Sequence, residues 1–264
     1  MDREPAVAGR FYTKDPGALR REVDGFLAAG GEKVRAKGVV APHAGYVYSG
    51  AIAGKLYARV EVPRRVVVLG PNHTGMGVPA ALWPEGAWRL PTGTVPIDAA
   101  LTAALAGGPL VESDAEAHLM EHSLEVQVPF LARAQPDLAI AALCLGHLSY
   151  ADCEAIGRSV ARAAADAGAL VVASSDMSHY IPAAAAREKD LRAIDQILAL
   201  DPRGLYAVVH REKISMCGII PATVMLVAAL ELGATRAELV SYGNSGDVSG
   251  DTRQVVGYAG VLVA

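Results

Sequence analysis

Three stretches of the chain share one pattern: an unbroken apolar run, a break, then a residue able to bind a metal or move a proton. Val39–Gly50 reads VVAPHAGYVYSG and sets His43 directly after the proline. Arg65–His73 reads RVVVLGPNH and ends in His73. Leu170–Tyr180 reads LVVASSDMSHY and carries Asp176 and His179. β-Branched apolar runs closed by Pro, Gly or Ser predict strands buried on both faces of an α/β sheet. Sites in such sheets form beyond the carboxyl ends of the strands. A lone histidine after a strand is commonly just a hydrogen-bonded loop residue. Several strands that all end this way argue for shared chemistry.

The intervening pattern is helical. Asp15-Pro16 predicts a helix start, with Leu19, Val23, Phe26 and Leu27 on one face. Ser49–Leu56 predicts the next helix, where Gly50 and Gly54 permit close packing. Ala80–Ile97 alternates around Trp83 and Trp88 and predicts a strand pair. Asp98–Leu105 reads as a short helix, and Ser113–Glu116 has capping-box spacing. Leu138–Leu145 predicts another strand, which delivers His147 to the same rim in a structural role. Further helices are predicted over Ala151–Ala167, Ala184–Leu200, Pro202–His210 and Pro221–Leu232, with closing strands at Glu238–Tyr242 and Val255–Val263. No repeat or linker interrupts 1–264. The expectation is a single α/β domain with a central mixed, mostly parallel sheet flanked by helices.

Composition narrows the function classes. Of 264 residues, 52% are hydrophobic, ample for one large core. The net charge of −4 comes without a basic block, so a nucleic-acid partner is not expected. Three widely spaced cysteines, Cys144, Cys153 and Cys217, argue against a disulfide framework. The N-terminal MDREPAVAGRFY lacks the apolar core of a signal peptide. The apolar Gly218–Leu230 is shorter than the ~18–20 residues of a membrane span. A cytoplasmic protein with no membrane association is expected.

Two histidines and a third anionic ligand with open positions suit non-haem iron(II). The candidates are His43, His73 and either Asp176 or Cys217; a thiolate would widen the choice to copper or zinc. Cys217, just before a helix start, is either a small buried hydrophobe or a thiol with a lowered pKa. The Glu121-His122 pair is either a surface turn or an acid/base group facing the crevice. Unligated, His122 and His179 could move protons. Tyr46, Tyr48 and Trp83 are candidates for the rim. Gly45–Gly50 has phosphate-loop spacing but is followed by Ala51 instead of Lys, and no dinucleotide fingerprint, serine-hydrolase elbow or H-E-x-x-H is present.

Seven motifs run in one order along nearly the whole chain: REPAVAGRFY, APHAGYVYSG, LGPNHTG, EHSLEVQVPFL, SSDMSHY, MCG and YGNSGDVSGD…VVGYAG. Together they resemble the Memo family. The resemblance implies a fold like that of class III extradiol dioxygenases, where two histidines and a glutamate hold iron(II). It matches His43 and His73 to metal ligands, and His179 and His122 to acid/base positions. No glutamate stands at the third ligand position; Cys217 of MCG takes it, with Asp176 close by. That puts plain ring cleavage of a small aromatic ligand in competition with two alternatives: other redox chemistry, and peptide or partner binding in the same crevice. It also implies radical-SAM and third-protein partners.

Overall fold

Strand and helix boundaries follow from where the apolar runs end. A computed structural model describes residues 1–264. In chain order, β1 is Asp2–Arg3, α1 Pro16–Leu27, β2 Gly38–Ala41, α2 Tyr46–Ala58, β3 Arg65–Pro71, β4 Ala80–Leu82, β5 Ala87–Leu90 and β6 Gly93–Pro96. Then come α3 Ala99–Ala106, β7 Glu112–Ser113, α4 Glu116–Leu119, α5 Val128–Ala134, β8 Ala139–Leu145, α6 Tyr150–Ala167, β9 Leu170–Ser174 and β10 His179–Ile181. The chain closes with α7 Ala183–Leu198, α8 Pro202–Arg211, α9 Ile219–Glu231, β11 Ala237–Asn244, α10 Gly246–Ser249 and β12 Val255–Val263. None of the helices is long and apolar enough to cross a membrane.

The predicted mixed sheet is present. Its order is β10-β12-β2-β9-β3-β8-β4-β7, with β11 also paired to β12. The four central strands β2, β9, β3 and β8 are parallel. Every residue of β2, β8 and β9 is buried, as a strand covered on both faces requires. Alternate side chains feed two cores. Val40, Val67, Leu69 and Val171 pack with α3, α6, α7, α8 and α9. Val39, Val66, Val68 and Val172 pack with α1, α2 and α5. A small separate sheet, β1-β5-β6, carries the N-terminus.

The parallel strands end together, so His43, His73 and Asp176 leave the sheet at one rim. β12 extends that rim. It pairs antiparallel with β2 through Val261–Val263, and its earlier residues Val255 and Val256 run on past the end of β2 to pair with β10. This brings His179 to the same end of the sheet.

Local expectations hold where the chemistry is local. Asp15 caps α1, accepting from Ala18 N–H at 2.6 Å. A Cβ at Gly50 or Gly54 would collide with Phe26, so α1 and α2 approach as closely as those glycines allow. Two expectations are corrected. α2 begins at Tyr46, three residues early, because Gly45 already serves as its cap and Tyr46 turns inward. Ser113 forms no capping box: it sits in β7, and Asp114 instead accepts from Glu116 N–H at 2.7 Å. The full capping box is at Ser149 and Asp152, opening α6.

The N-terminal arm is fastened by a buried ion pair. Arg3 donates to Glu125 Oε2 at 2.7 Å, to His118 O at 2.8 Å and to Glu121 O at 2.6 Å, and lies 4.5 Å over the Trp88 ring. Glu125 accepts in addition from Ala6 N–H, Val7 N–H and the Tyr12 hydroxyl. Both side chains are buried. Removing one partner leaves the other charge desolvated and unpaired, which costs about 3–5 kcal/mol. Arg3→Met is therefore expected to lower the unfolding free energy by that amount in urea titration, whereas Arg35→Met, in an exposed pair with Glu61, is expected to change it by less than about 1 kcal/mol.

Candidate metal centre

Three ligand atoms converge at the rim. Donor atoms of His43, His73 and Cys217 all lie within 4.8 Å of one another, and Cys217 Sγ is 3.1 Å from His43 Nε2. Donors on a common ion at ~2.0–2.3 Å would be separated by roughly 3–4 Å, so the set needs little adjustment to hold one. β2 supplies His43, β3 supplies His73, and the turn before α9 supplies Cys217. That turn needs Gly218, because a Cβ there would strike Ser174 O and the Ser175 side chain. Gly70 serves the same end at β3, where a Cβ would collide with Leu124 and Ser123.

Neighbouring groups fix the tautomer of each imidazole. The Ser174 hydroxyl donates to Ser123 O at 2.6 Å, so its oxygen can only accept from the rest. It accepts from Gln127 Nε2 at 2.8 Å and from His43 Nδ1–H at 2.9 Å. Gln127 is itself fixed: Nε2 donates to Pro42 O at 2.9 Å, and Oε1 accepts from the Tyr57 hydroxyl at 2.8 Å. The proton of His43 thus sits on Nδ1, and the Nε2 lone pair faces Cys217. His73 is arranged likewise. Its Nδ1–H donates to Glu121 Oε1 at 2.9 Å, while its backbone N–H donates to Oε2 at 2.6 Å. A carboxylate behind a histidine is a recurrent support for a metal ligand.

Burial disfavours the charged form of two of the imidazoles. Burial lowers the pKa of His43 well below the ordinary value, and the nearby His122, His73 and His179 lower it further. Burial takes His122 down to about 4 against the pull of Glu121. Glu121 is pushed up by burial, but His73, the Ser123 N–H and His122 hold it down at about 2. Of the two readings of the Cys217 thiol, the lowered pKa is the one that does not hold. Burial and the Asp176 carboxylate raise its thiol, and these outweigh any lowering from its place before α9. Without a cation the thiol stays protonated and hydrogen-bonds His43 Nε2. A bound cation would supply the charge that lets it ionise.

The other predicted residues surround this triad. His122 packs on His73 with ring centroids 4.6 Å apart and planes at 21°, and lies 5.4 Å from His43. Of its two readings, surface turn or crevice, the structure places it in the crevice. Asp176 does not join the converging ligand atoms. Its Oδ1 accepts from His43 N–H at 2.7 Å, and burial pushes its carboxyl up to about 6 although the N–H groups of His43 and Ala44 oppose this. His179 donates from Nδ1 to Ser215 O at 2.9 Å, leaving Nε2 free. Tyr46 and Trp83 do not rim the crevice: both are buried, with their polar atoms on Val126 O and Glu85 O. Tyr48 is exposed. His147 is exposed and outside the cluster. The sequence reading passed over Glu121, Gln127 and Ser174. Glu121 and Ser174 stand beside residues it did select, but nothing local marks a carboxylate or hydroxyl as a histidine's partner.

The family model described as "Memo-like protein" matches residues 3–262. The chain belongs to the Memo family. MEMO1 family proteins from Aquifex aeolicus and Methanothermobacter thermautotrophicus are 44% and 43% identical to it, over 98% of this chain and 98% and 99% of theirs. One from Thermotoga maritima is 38% identical over the full length of both. The solved structure of uncharacterized protein JW3007 from Escherichia coli K12 aligns at 19% identity with a TM-score of 0.45, covering 74% of this chain and 86% of that one. The coincidence of the Memo motifs with the triad is direct: APHAG carries His43, GPNH carries His73, EHS carries Glu121 and His122, and MCG carries Cys217.

Three outcomes are expected of this Memo-family site. Because the Cys217 thiol must lose its proton to ligate, apparent metal affinity should rise about tenfold per pH unit below the thiol pKa from this group alone, and Cys217→Ser should flatten that slope in chelator-competition titrations. Ser174→Ala, which removes the acceptor for His43 Nδ1–H, should lower affinity about 10–100-fold in the same assay. On the acid side, Glu121 is held from its usual 4.5 down to about 2. Its contribution to stability is therefore present above about pH 4.5 and lost as pH falls through about 2, and Glu121→Gln should remove that acid-side dependence in unfolding curves.

Proposed function

We propose that this crevice is a redox-active metal site in which His43, His73 and Cys217 hold iron(II) or copper. The observation that carries the reading is a pair of imidazoles each held through Nδ1 by a protein acceptor, with His43 Nε2 3.1 Å from the Cys217 thiol and donor atoms of all three residues within 4.8 Å of one another. Two imidazoles and a thiolate form a borderline-soft donor set, which suits copper, iron(II) and zinc better than the hard cations magnesium and calcium. A bound iron or copper ion would supply one-electron chemistry at the mouth of the crevice.

The chain's own residues then divide the work. His43 stays neutral, and both His43 and His73 are held in orientation through Nδ1. Asp176 fixes the His43 backbone, and Glu121 fixes His73. His122, neutral down to about pH 4, and His179, with Nε2 free, are placed to take or give a proton at a substrate atom. Tyr180, beside His179 and 71% exposed, offers aromatic surface to a small aromatic or peptide ligand.

The test is the metal content of untagged protein purified without oxygen. Near-stoichiometric iron or copper is expected in the parent and in His179→Ala, with strong loss in His43→Ala and reduced content in Cys217→Ser. Equal metal in the parent and His43→Ala would overturn the ligand assignment. Zinc alone would remove the redox part of the reading. No metal after reconstitution would favour a crevice that binds a partner without an ion.

A further inference from the structure

A second concavity lies away from the candidate metal centre. It is a groove of about 700 Å³ that shares no lining residue with the His43–His73–Cys217 site. Three elements form it. α1 and α5 make two walls, and the β5–β6 hairpin makes the third. Its floor is apolar, built from Leu19, Val23, Leu90, Val95 and Leu138, all buried core side chains. A volume of this size matches sites for cofactor-sized small molecules.

The charge around the groove is lopsided. Arg20, Arg64 and Arg133 line it, against Asp137 as the one lining carboxylate. The chain as a whole carries −4, so this concavity is positive within an acidic protein. Two of the arginines are already steered. Arg20 donates to Thr92 O at 3.1 Å in the hairpin turn, and Arg133 pairs with Asp24 of α1 at 2.6 Å. Arg64 makes no side-chain hydrogen bond or ion pair within the chain, and its fork of donors faces solvent at the groove. A planar guanidinium with free donors is suited to carboxylate, sulfonate or phosphate oxygens, and an apolar floor beside it suits a hydrocarbon or aromatic body.

We infer that this groove is a second ligand site, separate from the metal centre, that takes a small amphiphilic anion: an apolar body on the Leu90–Val95 floor and an oxyanion at Arg64, flanked by Arg20. The inference does not rest on the redox reading of the crevice, because no ligand residue is shared.

The test uses anilinonaphthalene sulfonate as the anionic probe and phenylnaphthylamine, the same ring system without the sulfonate, as its uncharged counterpart. Fluorescence titration of the folded, metal-loaded chain is expected to give one saturable site per chain for the anion, at least about tenfold tighter than for the uncharged probe. Arg64→Ala should cut anion affinity about tenfold and leave the uncharged probe unchanged. Thr94→Trp, which fills the groove from the hairpin, should abolish binding of both. Absence of saturable binding, equal affinity for the two probes, or indifference to both substitutions would overturn the site. Metal content and circular dichroism of the same samples should match the parent throughout, so that loss of the metal reading and loss of this one are seen separately.

Discussion

Glu125 is a charged side chain with no access to water, and the chain meets that constraint by filling all four of its acceptor positions. Arg3, Ala6, Val7 and Tyr12 each donate to it. An unpaired buried carboxylate would be severely destabilising, so the N-terminal arm must close over this residue whenever the fold forms. The same stretch of chain carries Glu121 and Gln127, which reach the two candidate ligand histidines, His73 directly and His43 through Ser174. One irregular segment, Glu121–Gln127, thereby ties the N-terminal arm to the metal centre. Its rigidity comes from polar groups that have no alternative partners.

That rigidity has a chemical consequence. A metal ligand must present a lone pair, and a histidine with both nitrogens free would divide its time between tautomers. Here Nδ1 of His43 and of His73 is committed to protein acceptors, so the lone pairs on Nε2 need no reorganisation before binding. Cys217 differs. Burial and Asp176 keep its thiol protonated, and its ionisation is coupled to arrival of a cation. The cluster is thus ready in its geometry but conditional in its charge, so binding of a metal there would release a proton.

The sheet explains why the residues meet at all. Parallel strands β2, β3 and β9 finish at one edge of the core, and each leaves its first polar residues there. Tight approaches at Gly70 and Gly218 then let the Glu121 segment and the Cys217 turn come close enough to complete the set. The distances account for why the motifs include glycines that carry no chemistry themselves.

How much was legible in the chain depended on range. Strand ends were readable because Pro and Gly stop an apolar run locally, and this placed His43, His73, Asp176 and His179 on one rim. Helix α1 was readable from its start signal and periodicity, and α6 and α8 as helical stretches, although the capping box that opens α6 was not read. The reading failed where a side chain's state is set by distant groups. For Cys217 the sequence left two readings open, a buried thiol or one with a pKa lowered by the helix start, and burial and Asp176 decide for a raised pKa. Tyr46 and Trp83 carry aromatic rings suited to a rim, yet packing takes both into the core. The partners that fix the histidine tautomers lie 48 to 131 positions away, as Glu121 does from His73 and Ser174 from His43. The sequence by itself determined which residues could bind a metal and that they share an edge. Only the tertiary structure decided which nitrogen of His43 faces the thiol, that this thiol's pKa is raised and that the Asp176 carboxylate accepts from the His43 backbone, because those are set by hydrogen bonds and desolvation between segments far apart in the chain.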